Sequence, residues 1–279
     1  MAEPVVHQGS VGPLARLAPY RAVLAARVRA QRSYRSNFLI DLGSSLLVGF
    51  VELAEVWILF HNVHVLGGFT FVQILLVFGI ADCSFALADL FFGHCDNLPT
   101  YLRAGTLDVF YLRPQPVLMQ LITSEISLRR LSRAGLGVGS IVIALALNDI
   151  DWSAARVALL VLALVSATAT FAALFVWAAG LQFFLVSGAE LTNAFVYGGR
   201  YAATQPAAVW SRPIKVVFGF LFPMAFTAYL PALELLDLPG PQWLPAGLAW
   251  CTPLAALWSW GMALGTWRVG MRHYQGGGG

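Results

Sequence analysis

Four of the carboxylates inside the first two long apolar runs of the chain form two pairs: Glu52 with Glu55, and Asp82 with Asp89. On a helix, their spacings of three and seven residues place each pair on one face. An ionisable group inside a bilayer costs on the order of 3 kcal/mol, so it faces a cavity, the protein interior or a partner. One interpretation is an acidic path for a cationic substrate or a proton, carried by Glu52, Glu55 and Asp82. The alternative is that these carboxylates pair with arginines or hydroxyl groups, or lie protonated against a neighbouring subunit.

A compact polar island separates the second and third apolar runs, at Leu102–Pro114. Its charged side chains are Arg103, Asp108 and Arg113. Its large apolar side chains include Leu107 and Phe110. Its final proline closes the segment, because proline donates no backbone hydrogen bond and restricts the residue before it. Two interpretations remain open from spacing alone: a docking surface for another protein, or a solvated turn with an internal Asp–Arg pair.

The composition decides which elements must position these residues. Hydrophobic residues make up 58% of the 279 residues and charged residues only 11%, whereas soluble domains carry about 25% charge. Six spans of about 20 residues each fit within this length and leave no room for a sizeable soluble domain. The sequence therefore predicts a single all-α membrane domain. A net charge of +3 gives no reason to expect nucleic acid as a partner.

The apolar runs predict the order of the elements. Residues 1–12 are expected to be disordered, 13–36 to form an interfacial amphipathic helix, 37–268 to form the six-helix transmembrane domain, and 269–279 to be a tail whose four terminal glycines are typical of a tag scar. The predicted spans are Phe38–Phe60, Phe69–Phe92, Ala134–Leu147, Ala154–Leu185, Ile214–Leu236 and Ala246–Trp267. The segment Ser187–Pro213 is predicted to be a further interfacial helix before the fifth span.

The basic residues predict the orientation of these spans. With the N-terminus inside, the cytoplasmic segments are 1–37, 93–133, 186–215 and 268–279, and they hold all 17 lysines and arginines except Arg156. The loops 61–68, 148–153 and 237–245 hold none. This is the bias of the positive-inside rule, so we expect both termini in the cytoplasm.

Several kinds of chemistry have no motif in the sequence. The chain has one lysine, Lys215, and no P-loop, so it is not expected to bind ATP in that way. No zinc-protease, CxxC or GxSxG motif occurs, and the three cysteines and five histidines show no metal-ligand spacing. We therefore expect no catalytic residue, no metal and no cofactor in this chain.

Three segments resemble the permease subunits of ABC-2 type transporters, in particular the bacterial branch with a separate ATPase and often a second permease. Gly105–Pro114 (GTLDVFYLRP) is similar to that branch's Gly-x-Leu-Asp-x-x-Leu-x-Arg-Pro signature, although Tyr111 adds bulk before Leu112. Phe222–Ala232 resembles its proline-punctuated fifth span, and Trp267–Tyr274 its C-terminal ending.

The resemblance implies a type V exporter-like fold and a division of labour between subunits. The cytoplasmic loop 93–116 would carry the coupling helix, with Arg103, Asp108 and Arg113 making charge-paired contacts to the ATPase and Leu107 and Phe110 its apolar anchor. Two copies of that ATPase would bind ATP and Mg. A second permease, identical or homologous, would complete the exporter in the lipids of the bacterial cytoplasmic membrane. Drug-like organic cations would be its substrates.

Two other classes of function remain. An ion-coupled secondary transporter or channel would use the intramembrane carboxylates as its ion path and would need no nucleotide. The absence of an inverted repeat counts against it. A membrane enzyme is the weakest alternative, because the sequence shows no nucleophile–base pair or metal constellation.

Overall fold

The computed structural model describes residues 35–125, 130–185 and 189–275, and these are helical with no β-strand. Backbone groups in a bilayer must be satisfied within each segment, which favours helices throughout. The four longer helices of the first two thirds are α1 (Arg35–Asn62), α2 (Phe71–Phe92), α6 (Arg130–Leu147) and α7 (Ala154–Gln182). The short helices between α2 and α6 are α3 (Leu98–Arg103), α4 (Asp108–Tyr111) and α5 (Val117–Ser124). The last third contains α8 (Ala189–Ala203), α9 (Arg212–Val216), α10 (Tyr229–Leu235) and α11 (Thr252–His273).

Four of these elements are long and apolar enough to cross a membrane, and a fifth candidate is bent. The four spans are Leu42–Asn62, Phe71–Arg103, Arg130–Leu147 and Ala154–Gln182. The fifth joins Arg212–Leu221 to Met224–Leu235 across a bend of 66°. The described residues thus give four or five candidate spans by length and composition, whereas the sequence predicted six. The predicted interfacial helix 13–36 lies outside the described residues, except that its last two residues begin α1.

The core of the molecule is a bundle of α2, α6, α7 and α11, with α1 at its edge. In the apolar 18-residue stretch that qualifies each helix as a candidate span, 78% is buried for α2 and 11% for α1. The backbones of α2 and α6 touch, since a Cβ added to Gly137 would lie 2.5 Å from the backbone nitrogen of Cys83. The backbones of α7 and α11 touch in the same way at Gly180, where an added Cβ would lie 2.8 Å from the backbone nitrogen of Trp267. Small residues at such crossings are typical of membrane helix packing.

The bundle has two ends, named here after their connections. The hairpin end contains residues 63–70, which join α1 to α2, and the loop end contains loop 93–116. Helix α8 begins near the loop end, where the Phe195 ring lies 5.5 Å from that of Trp177. The chain that follows α8 reaches the hairpin end, where a Cβ added to Gly67 would lie 2.8 Å from the Cβ of Pro206. The segment 189–210 therefore runs along the bundle from one end to the other.

The bent pair that follows starts and finishes at the hairpin end. The Lys215 ammonium lies 5.1 Å from the centroid of the Trp243 ring, in the loop before α11, and the Asp237 carboxylate pairs with Arg156 near the start of α7. Between them the pair turns at Phe222, whose ring lies 4.6 Å from that of Trp177. The next residue, Pro223, disfavours a helical conformation at Phe222 and has no N–H to continue the ladder. These contacts are those of a re-entrant pair, that is, two short helices that start and finish at the same end of the bundle.

This arrangement differs from two sequence predictions. Ile214–Leu236 was predicted to cross the membrane as one span, whereas both of its ends lie at the hairpin end of the bundle. The segment 186–215 was predicted to lie wholly on the cytoplasmic side, and its described part instead extends to the opposite end. The prediction failed because a run of apolar residues interrupted by prolines has the same composition whether it crosses or turns back.

Candidate functional site

The loop end is shaped by a tight turn between α3 and α4. Gly105 has a φ of +64°, a left-handed conformation that glycine adopts without steric cost. The N–H of Thr106 donates to the carbonyl of Tyr101 at 3.1 Å, and that of Gly105 to the carbonyl of Leu102 at 3.3 Å. This pair of bonds is the Schellman pattern that ends a helix. It stops α3 and allows α4 to begin at Asp108.

Two of the apolar residues of this loop pack into the chain itself. Leu107 has no exposed surface and Phe110 is 8% exposed. The Phe110 ring lies 5.3 Å from that of Tyr101, and the Gln120 amide donates to the Phe110 carbonyl at 2.9 Å. The sequence interpretation gave Leu107 and Phe110 the role of an apolar anchor for an ATPase. Their burial does not suit that role, and they instead fix α4 to the bundle.

The outward face of the same turn is apolar and basic. Leu112 is 85% exposed, and Val109 is also exposed. Arg103 and Arg113, two of the predicted contact residues, are exposed on either side of α4. The Arg103 guanidinium donates only to the Pro99 carbonyl of its own helix, at 3.3 Å, among the hydrogen bonds of the described residues. We call Val109, Leu112, Arg103 and Arg113 the loop surface.

The third predicted charge, Asp108, faces the end of the last helix. The Tyr274 hydroxyl donates to the Asp108 carboxylate at 2.9 Å, and the Tyr111 ring stacks on that of Tyr274 with centroids 5.8 Å apart. Burial, the hydrogen bond to Asp108 and the carboxylate's charge raise the pKa of Tyr274 to about 12. The hydroxyl therefore stays protonated and donates near neutral pH. This contact joins two of the segments on which the family resemblance rested.

The intramembrane carboxylates form a charge cluster with two arginines. Arg200 of α8 donates from Nε to Asp82 Oδ1 at 3.1 Å and from Nη1 to Glu52 Oε1 at 3.1 Å. Arg133 of α6 contacts the same Glu52 oxygen at 2.5 Å and lies 3.5 Å from Asp82. We call Glu52, Asp82, Arg133 and Arg200 the charge cluster. It links α1, α2, α6 and α8 and balances two negative charges with two positive ones.

Three of the four carboxylates have arginine partners, as the second of the two interpretations expected. Asp82 has no exposed surface and pairs with Arg200, so in this conformation it holds helices together. Asp89 pairs with Arg130 of α6 at 2.9 Å. Arginine pairing thus accounts for Glu52, Asp82 and Asp89.

Glu55 has different surroundings. It lines a cavity of about 80 Å³ between α1, α2 and the C-terminal part of α8, together with the Glu52 and Arg200 side chains. Among the described residues no hydrogen bond or salt bridge involves Glu55. The cavity is the place where two of the three predicted path residues meet, and Asp82 lies behind it, beyond Arg200.

Sequence reasoning did not single out Arg133 and Arg200. Both were assigned to cytoplasmic segments, because each lies beside polar residues outside the apolar runs. A signal was nevertheless present for Arg133, because carboxylates within two spans require cations and Arg133 directly precedes the predicted span Ala134–Leu147. No such signal marks Arg200, which lies far from the boundaries of the predicted spans. Among the described residues no group of three His, Cys, Asp or Glu side chains is placed to hold a metal ion. The arrangement can bind a charged group and can change conformation, but it offers no nucleophile–base pair.

Comparison with known proteins agrees with this architecture. No curated protein and no solved structure matches the chain at a significant level. One family model, described as ABC-2 family transporter protein, matches residues 46–278. The match includes α2 to α11, the loop surface and the charge cluster. The chain belongs to the ABC-2 family of transporter proteins, and it is a multi-pass membrane permease of that family.

Proposed function

We propose that this permease is a subunit of an ATP-driven exporter, in which loop 93–116 receives the conformational change of a separate ATPase. Two copies of the ATPase and two permeases, identical or homologous, would form the working complex. The observation that carries the proposal is the division of α4 into two faces. One face is buried in the permease, whereas Val109 on the helix and Leu112 and Arg113 directly after it are exposed, as is Arg103 before it.

The loop surface has the chemistry of a protein contact. A leucine that is 85% exposed at the end of a bundle buries little apolar area within its own chain, and exposed apolar groups rimmed by charge mark interaction sites. Arg103 and Arg113 would meet carboxylates at the rim of an apolar cleft on the ATPase. Leu107 and Phe110 hold α4 in place behind this surface, so a push on it moves the permease rather than a loose loop.

Two contacts give such a push a route into the membrane. Asp108 is bound by Tyr274, which directly follows α11, and Gln120 of α5 is bound to the carbonyls of Phe110 and Gln115. Movement of α4 would therefore shift α11, which packs along α7, and α5, which precedes α6. In this proposal ATP binding acts at one end and the spans rearrange around the charge cluster.

The proposed topology has six crossings, with residues 189–210 in place of the predicted fifth span. The loop end would face the cytoplasm of a bacterial cell, since Arg103, Arg113, Arg268 and Arg272 lie there. Both termini would then be cytoplasmic. The ion-coupled transporter is the less favoured candidate, because two of its three proposed carboxylates already have arginine partners.

Co-purification with matched variants tests this proposal. The chain would be purified from its host in mild detergent, as wild type, as Leu112→Asp and as Val65→Asp, and the bound proteins identified by mass spectrometry. Val65 is a comparably apolar, exposed residue of the hairpin end. We expect a P-loop ATPase with the wild type and with Val65→Asp, and its loss with Leu112→Asp.

Two outcomes would overturn parts of the proposal. If no P-loop subunit co-purifies with the wild-type chain, the proposal that a separate ATPase drives transport would be contradicted. A Leu112→Asp chain that retains the ATPase in full amount would contradict the loop surface as its binding site.

A further inference from the structure

The cavity beside the charge cluster contains a carboxylate that the cluster does not neutralise. Glu52 and Asp82 are balanced by Arg133 and Arg200, and Glu55 is additional. Seven residues separate Glu55 from the end of α1 at Asn62, about 10 Å of helix rise. This places the carboxylate within the bilayer rather than in the loop. A carboxylate at that depth is neutralised by a proton or by a cation, and Glu55 is exposed, so that a cation can reach it.

The rest of the cavity wall indicates which kind of cation it suits. Val56, Leu59 and Phe78 form an apolar side, and Tyr201, Thr204 and Gln205 form a polar one. Metal ions such as Ca²⁺ bind six or more oxygens, which this mostly carbon-lined side does not supply. An alkylammonium group instead offers methyl or methylene surface to carbon and positive charge to aromatic rings and carboxylates.

From this arrangement we propose that the cavity between α1, α2 and α8 binds a small alkylammonium group, with Glu55 as its counter-ion. The Phe78 and Tyr201 rings would contact the alkyl groups, and Arg200, held by two carboxylates, would limit the site to one positive charge. The volume of about 80 Å³ admits a small head group and not a large drug molecule. The inference rests on the proposed function in that the bound cation would be the transported species or its head group.

The Glu52 carboxylate connects this site to the rest of the chain. It faces the cavity and also receives Arg133 and Arg200. A bound cation would compete with these arginines for Glu52 and so loosen the contact of α1 with α6 and α8. Occupation of the cavity would thereby favour rearrangement of the helices that the charge cluster holds together.

Equilibrium binding of radiolabelled choline tests the proposal. The full chain would be reconstituted in nanodiscs of phosphatidylglycerol without any ATPase, so that the result does not depend on co-purification. We expect saturable binding, weakened about tenfold or more by Glu55→Gln, because a charge-assisted contact is worth about 1.5–3 kcal/mol. Glu55→Asp keeps the charge and should retain part of the affinity. Glu190→Gln, which removes an exposed carboxylate of α8 outside the cavity, should bind as the wild type does.

Two competitors define the chemical class and the source of the ligand. The uncharged isostere 3,3-dimethylbutan-1-ol should not displace choline, since it lacks the positive charge. Displacement by added phosphatidylcholine would identify a lipid head group as the occupant, and its absence a free cation. Either result supports an alkylammonium site. Absence of saturable binding, equal binding by Glu55→Gln, or equal displacement by the isostere would overturn it. None of these three results would contradict the proposal that loop 93–116 binds an ATPase.

Discussion

The hydroxyl of Tyr274 donates a hydrogen bond to the carboxylate of Asp108 across 166 residues of sequence. One partner belongs to the exposed turn at the loop end and the other directly follows α11. The bond and the stacking of Tyr111 on Tyr274 are the contacts by which the short helix α4 is held to the end of the last helix. Since α11 packs along α7, a movement of α4 would, in the proposed function, be transmitted to the centre of the bundle.

Replacement of Tyr274 by Phe should weaken this connection without unfolding the chain. The variant keeps the ring stacking and loses the hydroxyl, at a cost of about 1 kcal/mol. We expect ATP hydrolysis by the complex to continue while transport per ATP falls. The control is Tyr111→Phe, which keeps its stacking and loses only a weak contact to the Met271 sulfur at 3.4 Å. Equal transport per ATP in wild type and Tyr274→Phe would contradict the proposed route.

Leu107 and Leu112, five residues apart, should respond oppositely in two assays. Leu107→Ala removes a fully buried side chain and should destabilise the chain by about 2–5 kcal/mol. Leu112→Ala removes an exposed side chain and should leave the unfolding midpoint unchanged. Thermal unfolding in detergent measures the first effect, and ATPase binding the second. If Leu112→Ala proves the less stable variant, the orientation of α4 described here is incorrect.

The charge cluster predicts a rescue between Arg200 and Asp82. Arg200→Met leaves two carboxylates with Arg133 as their remaining arginine, and loss of one partner of a buried pair costs about 3–5 kcal/mol. Asp82→Asn in the same chain removes the unpaired charge and should restore part of the unfolding midpoint. Arg156→Gln breaks the exposed pair with Asp237 and should cost about 1 kcal/mol or less. A double variant no more stable than Arg200→Met would show that the two side chains do not compensate each other.

The apolar runs of the sequence were sufficient to predict the long helices but not the path of the last third. Predicted spans Phe38–Phe60 and Ala154–Leu185 correspond to α1 and α7 within a few residues. The predicted span Ala134–Leu147 forms most of α6, which begins four residues earlier at Arg130. Hydropathy measures how apolar a segment is. It does not show whether the chain after a bend continues across the membrane or turns back.

The candidate site was predictable in its residue types and not in its pairings. Arginine partners for the intramembrane carboxylates were one of two open alternatives. The identities of Arg133 and Arg200 depend on how α6 and α8 pack against α2, which is a long-range property. Likewise, the pattern of Leu107 and Phe110 was compatible with an outward anchor. Only the burial of both side chains, and the contact of the Phe110 ring with that of Tyr101, show that they point inward.

Of the three glycines in the first part of α6, the structure distinguishes one from its neighbours. A methyl group at Gly137 would lie 2.5 Å from the backbone of α2, whereas Gly135 and Gly139 have nothing within 4 Å. Gly137→Ala should therefore force α2 and α6 apart and lower the unfolding midpoint. Gly139→Ala should be neutral or stabilising, since alanine is favoured over glycine in a helix by about 0.5–1 kcal/mol. Equal midpoints for the two variants would contradict the close crossing at Gly137.

The re-entrant pair makes the position of Lys215 a direct test of the topology. Its side chain lies over Trp243, at the hairpin end, whereas the positive-inside pattern assigned it to the cytoplasm. In a background with Cys251→Ser, since Cys83 and Cys95 are buried, Lys215→Cys should react in intact cells with a membrane-impermeant maleimide. Arg103→Cys, at the loop end, should react only after the membrane is permeabilised. Because both are basic residues that charge counting places on the same side, labelling of Lys215→Cys only after permeabilisation would restore the predicted fifth span. Labelling from outside would establish that residues 212–235 enter and leave the membrane on one side.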